Sequence, residues 1–186
     1  VRGPSGAGKE RVAQAIARRS APGRPLISRN AATFPEGLVD AELFGNLKDY
    51  PNPGMAARPG VIGEADGGTL FLDEIGEISH ELSTRLLRVL DERGEYQRLG
   101  DARVRTSSFR LVGATNRPVA ALKADVAARF RLRLSVPPLE ERKEDVPLIA
   151  RALLRRAAAK DAEIGERFLE GWNGRTGEPR LSIELV

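Results

Sequence analysis

The chain contains no cysteine and only one histidine, His80, in 186 residues. Disulfide bonds and thiolate metal sites are therefore excluded, and a cluster of imidazole ligands cannot form. No apolar run approaches the ~18 residues that a membrane-spanning helix needs, and the first residues lack the pattern of a signal peptide. We expect a soluble, cytoplasmic protein that does not enter a membrane.

The chain also lacks a large excess of charge of either sign. It carries 30 basic and 26 acidic residues, a net charge of +4. This balance allows a nucleic-acid partner but does not require one. A chain of this length can bury roughly 70% of its unfolded surface, so one main core is expected.

The first motif that the sequence does contain is a glycine-rich loop, "GPSGAGKE". Its spacing is that of a phosphate-binding P-loop, with Glu10 where Ser or Thr usually ligates magnesium. Glycines allow a tight turn that directs N–H groups at phosphate oxygens, and the lysine adds a mobile positive charge. The residues predicted to bind nucleotide are Gly3, Pro4, Ser5, Gly6, Ala7, Gly8, Lys9 and Glu10.

The segment after this loop, "KERVAQAIARRS", predicts a helix whose N-terminus points at the same phosphates, because its apolar residues share one face. A P-loop follows a buried parallel strand, yet only two residues precede Gly3. We therefore expect the chain to be a fragment that lacks part of an N-terminal strand and whatever follows Val186.

The second motif, "GGTLFLDE", combines a short apolar strand, Thr69–Leu72, with two carboxylates. A buried strand with acidic residues at its carboxyl end places them at the ligand crevice of an open α/β sheet. Asp73 is the candidate ligand for Mg²⁺. Glu74 is the candidate group that orients and polarises the attacking water.

A further strand, Phe109–Ala114, is followed by Thr115 and Asn116. Both side chains are able to reach a γ-phosphate or its water, but Asn and Thr also commonly cap strand ends. The pattern leaves both interpretations open. Before this strand, "SHELSTRLLRVLDERG" predicts a helix with Ser79 as its N-cap and Gly94 as its stop.

These elements predict an α/β fold, a doubly wound parallel sheet with the nucleotide at its edge. The pattern changes at Pro137–Pro138, and two helices that split near Lys160–Asp161 are predicted after it. We assign residues 1–140 to an α/β core and residues 141–186 to a partial helical lid subdomain.

Together these motifs resemble the central AAA+ ATPase domain of the sigma-54-dependent bacterial enhancer-binding regulators, the NtrC-like proteins. The resemblance covers nearly the whole chain. It rests on the P-loop with its unusual Glu10 and, in order, on "ELFG", "ADGGTLFLDEIGE", "LLRVLDERGEYQRLG", "ATNR" and "VPPLEERKEDVPLIA". It implies a P-loop AAA+ fold with ATP and Mg²⁺ as cofactors.

The resemblance also implies roles for single residues. Asn30 corresponds to the switch asparagine, which holds Glu74 until nucleotide contacts release it. Thr115–Asn116 corresponds to sensor I. The two arginines that act on the neighbouring subunit's nucleotide fall on Lys123 and Arg129, and a lysine is no equivalent of the arginine fork.

Two further positions depart from the family pattern. The sensor II arginine of the lid falls on Ile183, with Arg175 and Arg180 as alternatives. The sigma-54-contacting loop carries GAFTGA in the family, whereas the aligned residues here are "DYPNPG", residues 49–54. Two prolines restrict this segment. We expect a loop of shorter reach and lower mobility, and an altered or lost contact with sigma-54 RNA polymerase.

The sequence therefore predicts an ATP-binding and ATP-hydrolysing module of a bacterial transcriptional regulator, assembled as a hexamer or heptamer ring. Hydrolysis by the isolated chain should be weak, and DNA contact is expected from a separate domain. One alternative is an ATP-dependent assembly switch with little turnover. Another is direct nucleic-acid binding, although such charges at a ring interface or on a solvated helix face require no nucleic acid. The arginines that suggest it are Arg129, Arg131, Arg133, Arg151, Arg155 and Arg156.

Overall fold

The computed structural model describes residues 1–35, 37–90, 93–171 and 178–179. The chain divides into two compact units, Val1–Val136 and Pro137–Val186. The division falls at the proline pair at which the sequence pattern changes. Ile183, Arg175 and Arg180, the candidates for sensor II, lie outside the described residues.

Helices and strands alternate along the first unit. Its elements are α1 (Lys9–Ser20), β1 (Leu26–Asn30), α2 (Val39–Phe44), α3 (Gly60–Glu64), β2 (Thr69–Asp73), α4 (His80–Val89), β3 (Glu95–Tyr96), β4 (Arg105–Thr106), β5 (Arg110–Gly113) and α5 (Ala124–Arg129). The second unit contains α6 (Val146–Ala158), α7 (Ala162–Phe168), β6 (Leu169–Glu170) and β7 (Glu178–Pro179). No helix in the described part of the chain is long and apolar enough to span a bilayer.

The first unit is built on a parallel sheet in which β2 is central. The strand order is β1-β2-β5, and both neighbours run parallel to β2. Beyond β5, Arg2 makes parallel bridges to Thr115 on one side and to Ser135 on the other. Residues 1–3 therefore extend the sheet between β5 and the segment that ends the unit.

The extension of the sheet depends on Gly3. A Cβ on Gly3 would lie 2.5 Å from the carbonyl oxygen of Val136, which is closer than real Cβ atoms approach. The first glycine of the P-loop therefore also permits close contact between neighbouring backbones.

The core covers both faces of the sheet. Along β2, Leu70 and Leu72 belong to the larger apolar cluster with helices α2, α3 and α4, whereas Phe71 packs with Ala13 of α1 in a second cluster. Side chains alternate between the faces of a strand, so a strand buried on both faces is apolar throughout. The predicted α/β class with a doubly wound parallel sheet is confirmed.

The element predictions are confirmed in most cases. Ser79 Oγ accepts a hydrogen bond from Leu82 N–H at 3.0 Å and caps α4, and the predicted split between the last two helices falls at Asp161, which caps α7. The predicted helix stop at Gly94 is wrong, because α4 ends at Val89. Gly94, with φ of 60°, instead allows close contact with the Ser107 backbone.

Candidate nucleotide site

The carboxyl ends of neighbouring strands bring the predicted site residues to one edge of the sheet. Asn30 ends β1 and lies opposite Asp73 at the end of β2. On the other side, β5 continues to Thr115, whose carbonyl oxygen accepts a hydrogen bond from Gly3 N–H at 3.1 Å. Ligands of open α/β sheets bind at this edge, and residues from four separate stretches of sequence meet there.

The P-loop leads from this edge into α1. Gly6 and Gly8 have φ of 78° and 90°, a conformation that L side chains rarely adopt. The first N–H groups of an α-helix have no acceptor within the helix, and in α1 the N–H of Arg11 donates to Gly8 O at 2.9 Å. Lys9 Nζ donates to Gly3 O at 3.0 Å and to Pro4 O at 2.9 Å. Since an ammonium group has three donors, a phosphate oxygen in this loop would be a third acceptor for Lys9.

The other P-loop positions differ in exposure. Ala7 is buried, whereas Ser5 and Glu10 are exposed. Glu10 Oε1 accepts a hydrogen bond from Gln14 Nε2 at 3.1 Å, one turn further along α1. Glu10 therefore has a partner on the helix surface.

Glu74 turns the chain sharply at the end of β2. Its φ of 51° and ψ of 41° lie in the left-handed region, which is uncommon for residues other than glycine. Its N–H donates to Asp73 Oδ1 at 2.9 Å. Backbone conformations of this kind are concentrated at functional sites.

Asn30 contacts Glu74 across the strand ends. Asn30 Nδ2 donates to Glu74 Oε2 at 2.9 Å, and Asn30 Oδ1 accepts from Ala32 N–H at 2.8 Å. The second bond caps the short 3-10 turn Ala31–Thr33 and thereby fixes the orientation of the amide. Resemblance suggested the first contact, and the structure brings the two side chains together.

The two residues after β5 have different surroundings. Thr115 is buried, and its Oγ1 accepts a hydrogen bond from Arg117 N–H at 3.0 Å. A Cβ on Gly76 would lie 2.8 Å from this hydroxyl, so the absence of a side chain there permits the approach. Asn116 is exposed. The Thr115 hydroxyl therefore stabilises the turn after the strand, and Asn116 is the side chain that is open to solvent.

Arg117 also forms an ion pair with Glu77. This pair joins the turn after β5 to the 3-10 turn Ile75–Glu77 that follows Glu74. The sequence pattern did not predict it, because both residues are common on solvated surfaces.

The donor set at the strand edge fits a magnesium ion that accompanies a nucleotide. In the parts of the chain that the structure describes, no three His, Cys, Asp or Glu side chains are grouped as a metal site. Mg²⁺ beside a nucleotide needs only one or two carboxylates, because phosphates and water supply the other ligands. Asp73 is a carboxylate at the required edge.

Residues 1–140 match the sigma-54 interaction domain. The chain belongs to this family. The resemblance inferred from the motifs is thus confirmed, and with it the assignment to the AAA+ ATPase modules of transcriptional regulators.

Individual relatives agree with this assignment. Over 176 residues the chain is 41% identical to the transcriptional regulatory protein ZraR of Escherichia coli. The match covers 90% of this chain and 40% of that protein. It is 43% identical over 164 residues to the Nif-specific regulatory protein of Bradyrhizobium diazoefficiens, over 84% of this chain and 28% of that protein. The chain thus spans less than half the length of these relatives.

The fold resembles solved structures of related proteins. NtrX from Brucella abortus in complex with ATP is 30% identical with a TM-score of 0.72, over 91% of this chain and 40% of that one. A Thermotoga maritima RuvB mutant shares the fold, with a TM-score of 0.52. It is 21% identical, and the match covers 86% of this chain and 42% of that one.

Two residues of this chain are candidates to act on the neighbouring subunit's nucleotide, and they lie at the two ends of α5. Lys123 is the N-cap of this helix and Arg129 is its last residue, and both side chains are exposed. Arg129 lines a cavity of about 1130 Å³, and no P-loop residue is among the described residues around it. The structure therefore places Arg129 beside a cavity that no described P-loop residue lines.

The segment at the GAFTGA position of the family is held by Asn46. This side chain is only 2% exposed, and its Nδ2 lies 2.8 to 3.1 Å from the carbonyl oxygens of Leu47, Tyr50 and Ala56. Its backbone exchanges two hydrogen bonds with Arg58. The loop of residues 47–57 is therefore closed around one buried amide.

Further contacts tie this loop to the rest of the domain and to itself. Gly54 N–H donates to Asp49 Oδ1 at 2.7 Å across the loop tip. A Cβ on Gly100 would lie 2.6 Å from Tyr50 Cγ, so the Tyr50 ring lies directly on that turn. Asn46 was not predicted, because a polar residue in a loop gives no signal of burial.

Proposed function

We propose that this domain binds ATP with Mg²⁺ and hydrolyses it as the AAA+ module of a bacterial transcriptional regulator. The observation that carries the proposal is the hydrogen bond between Asn30 and Glu74 at the strand edge beside the P-loop. It supports this function because it holds a carboxylate, with a partner that restrains its orientation, at the edge where ligands of open α/β sheets bind.

The residues of the site divide the work between binding and chemistry. The P-loop N–H groups and Lys9 bind the phosphates, and Asp73 holds Mg²⁺, which neutralises charge on the phosphate oxygens. Glu74 accepts a hydrogen bond from the attacking water and orients it. Asn116 is exposed at the same edge and is the side chain assigned to contact the γ-phosphate or its water.

We assign Arg129 to the nucleotide of the neighbouring subunit in a ring of six or seven copies. The exposed position of Arg129 at the end of α5, on a cavity without P-loop residues, supports action in trans. Contact with DNA is assigned to a separate domain, and the site of action is the cytoplasm.

The test is the dependence of ATPase rate on protein concentration. The rate per subunit should rise with concentration, and Arg129→Ala should lower it by about 10³-fold. Arg18→Ala, an exposed arginine at the end of α1, is the matched control and should leave the rate unchanged. A rate that is independent of concentration and survives Arg129→Ala would refute the ring.

We further propose that the contact with sigma-54 is altered or lost. The supporting observation is the closed loop around Asn46, because a remodelling loop must change conformation with the nucleotide state. In a pull-down with the sigma-54 of the same organism, addition of ADP and aluminium fluoride should produce no capture. Capture that depends on the analogue and disappears when residues 49–54 are replaced by glycine and serine would overturn this proposal.

The same loop supports a second candidate, an assembly switch in which bound ATP organises the ring and little ATP is turned over. Steady-state turnover separates the two functions. The switch predicts an assembled ring whose rate stays close to that of the Glu74→Gln variant, whereas the ATPase predicts a clear difference.

A further inference from the structure

Two adjoining cavities on the α5 side of the domain share a pair of arginines. The larger cavity is about 1130 Å³ and the smaller about 590 Å³, and Arg129 and Arg131 line both. Lys123 is not among the described residues that line either cavity. The larger cavity is also lined by Arg85, Arg88, Arg93 and Arg98. In the smaller cavity, the cations among the described lining residues are Arg129 and Arg131.

The two arginines face the same space because Phe130 between them faces the core. α5 ends at Arg129, and Phe130 has the non-helical φ of −96° and ψ of 85°. Phe130 packs against the larger apolar cluster, and a Cβ on Gly113 would lie 2.8 Å from its Cζ. Arg129 and Arg131, on either side of Phe130, both line the two cavities, and Cα atoms two residues apart are at most about 7 Å apart.

Lys123 has a different position on the helix. It precedes Arg129 by a full six residues of α5, which is a rise of about 9 Å and a rotation of about 600° along an α-helix. The two side chains therefore leave the helix from different faces.

The carboxylates around the larger cavity are paired with other arginines. The described ion pairs are Arg85–Asp40 at 2.9 Å, Arg93–Glu95 at 3.9 Å and Arg105–Asp101 at 2.9 Å. Hydrogen bonds from the Arg103 N–H and the Arg105 side chain lower the pKa of Asp101 below its usual value. Arg131 is exposed and makes no ion pair with any residue in the described ranges.

We propose that Arg131 is the second trans-acting cation of this domain, which contacts phosphate oxygens of the neighbouring subunit's nucleotide together with Arg129 and replaces Lys123 in that role. The inference rests on the proposed function, since it requires the ring. Two guanidinium groups on one side of the chain offer planar donor forks to one phosphate group, which an ammonium cannot supply.

The first test compares single variants in the full protein. Arg131→Ala should lower the rate per subunit by about 10²-fold, and Arg131→Lys should restore only a small part of it. Arg133→Ala is the matched control, since its side chain is not among the described residues that line either cavity, and it should keep the wild-type rate. A wild-type rate in Arg131→Ala, or loss of activity in Lys123→Ala, would overturn the inference.

The second test measures assembly and does not depend on turnover. Sedimentation velocity with ADP and aluminium fluoride should show a ring for the wild type and for Lys123→Ala, and a weaker ring for Arg131→Ala. Equal assembly of Arg131→Ala and the wild type would contradict a phosphate contact.

A mixing experiment tests action in trans. Glu74→Gln subunits keep both arginines but cannot hydrolyse ATP, and Arg131→Ala subunits keep Glu74. In an equal mixture about a quarter of the interfaces join an intact site to intact arginines, so activity should reappear. No recovery would contradict the inference.

If Arg129→Ala is inactive while Arg131→Ala is active, this inference alone fails. If neither variant affects a concentration-independent rate, the ring and the inference fail together.

Discussion

Asn30 is the last residue of β1 and Glu74 directly follows β2. The two share a hydrogen bond of 2.9 Å from Asn30 Nδ2 to Glu74 Oε2. The other amide atom, Oδ1, accepts a bond from Ala32 N–H. One side chain therefore both caps a turn and restrains the carboxylate that is proposed to orient water. The two functions can be separated by substitution.

Asn30→Ser should raise turnover. Serine is a good capping residue but is too short to reach Glu74, so the carboxylate loses a bond that competes with its contact to water. A competing bond of about 1 kcal/mol corresponds to roughly a 5-fold increase in rate. Steady-state ATPase assays measure the effect, and calorimetry should show ATP affinity within about twofold of the wild type. An unchanged rate would show that this hydrogen bond does not restrain Glu74.

Glu74→Gln should preserve ATP binding and abolish turnover. The amide keeps the shape of the side chain and can still contact Asn30, but it lacks the charge that polarises water. Binding by calorimetry and product release by a phosphate assay should be measured on the same sample. Comparable losses of affinity and rate would contradict the assignment of Glu74 to chemistry alone.

Lys9→Ala should weaken ATP binding by about 10²-fold, because a charge-assisted hydrogen bond contributes up to about 3 kcal/mol. Isothermal titration calorimetry measures the affinity. Lys48→Ala removes an exposed lysine of the same unit and serves as the control. If both variants bind ATP like the wild type, the nucleotide does not lie in this loop.

Asn46→Ala should open the loop of residues 47–57. The carbonyl oxygens of Leu47, Tyr50 and Ala56 lose the partly buried amide donor that joins them, at a cost of about 1–3 kcal/mol in the free energy of unfolding. Urea denaturation measures this loss, and trypsin should cleave after Lys48 faster than in the wild type. Asn52→Ala, at the exposed tip of the same loop, should behave like the wild type. Similar protease resistance in Asn46→Ala and the wild type would mean that the amide does not hold the loop closed.

Gly45→Ala should destabilise the base of this loop by more than about 3 kcal/mol. A Cβ on Gly45 would lie 2.1 Å from Arg58 O, whereas a Cβ on Gly54 would meet nothing within 4 Å. Both glycines have positive φ, so Gly54→Ala isolates the conformational cost of about 1–2 kcal/mol. Denaturation midpoints of the two variants measure the difference. Equal midpoints would show that the base of the loop accommodates a Cβ at Gly45 with no greater loss of stability than the loop tip at Gly54.

The sequence by itself determined the fold class and most of the nucleotide edge. The P-loop spacing and the acidic pair after an apolar strand are local patterns, and the chemistry of phosphate binding demands those residue types at those intervals. The helices were predictable where amphipathic periodicity and a capping residue agreed, as at Ser79 for α4. The end of α4 was not, because Gly94 serves a contact with the Ser107 backbone that is distant in sequence.

Only the tertiary structure decided which side chains lie together. Asn30 reaches Glu74 because β1 and β2 are paired in register. The spacing of residues in the sequence does not predict that register. The burial of Asn46 and the shared direction of Arg129 and Arg131 likewise depend on what packs beneath them. The contact between Asn30 and Glu74 joins segments far apart in the chain, where local propensity carries no information and the free energy of packing selects the arrangement.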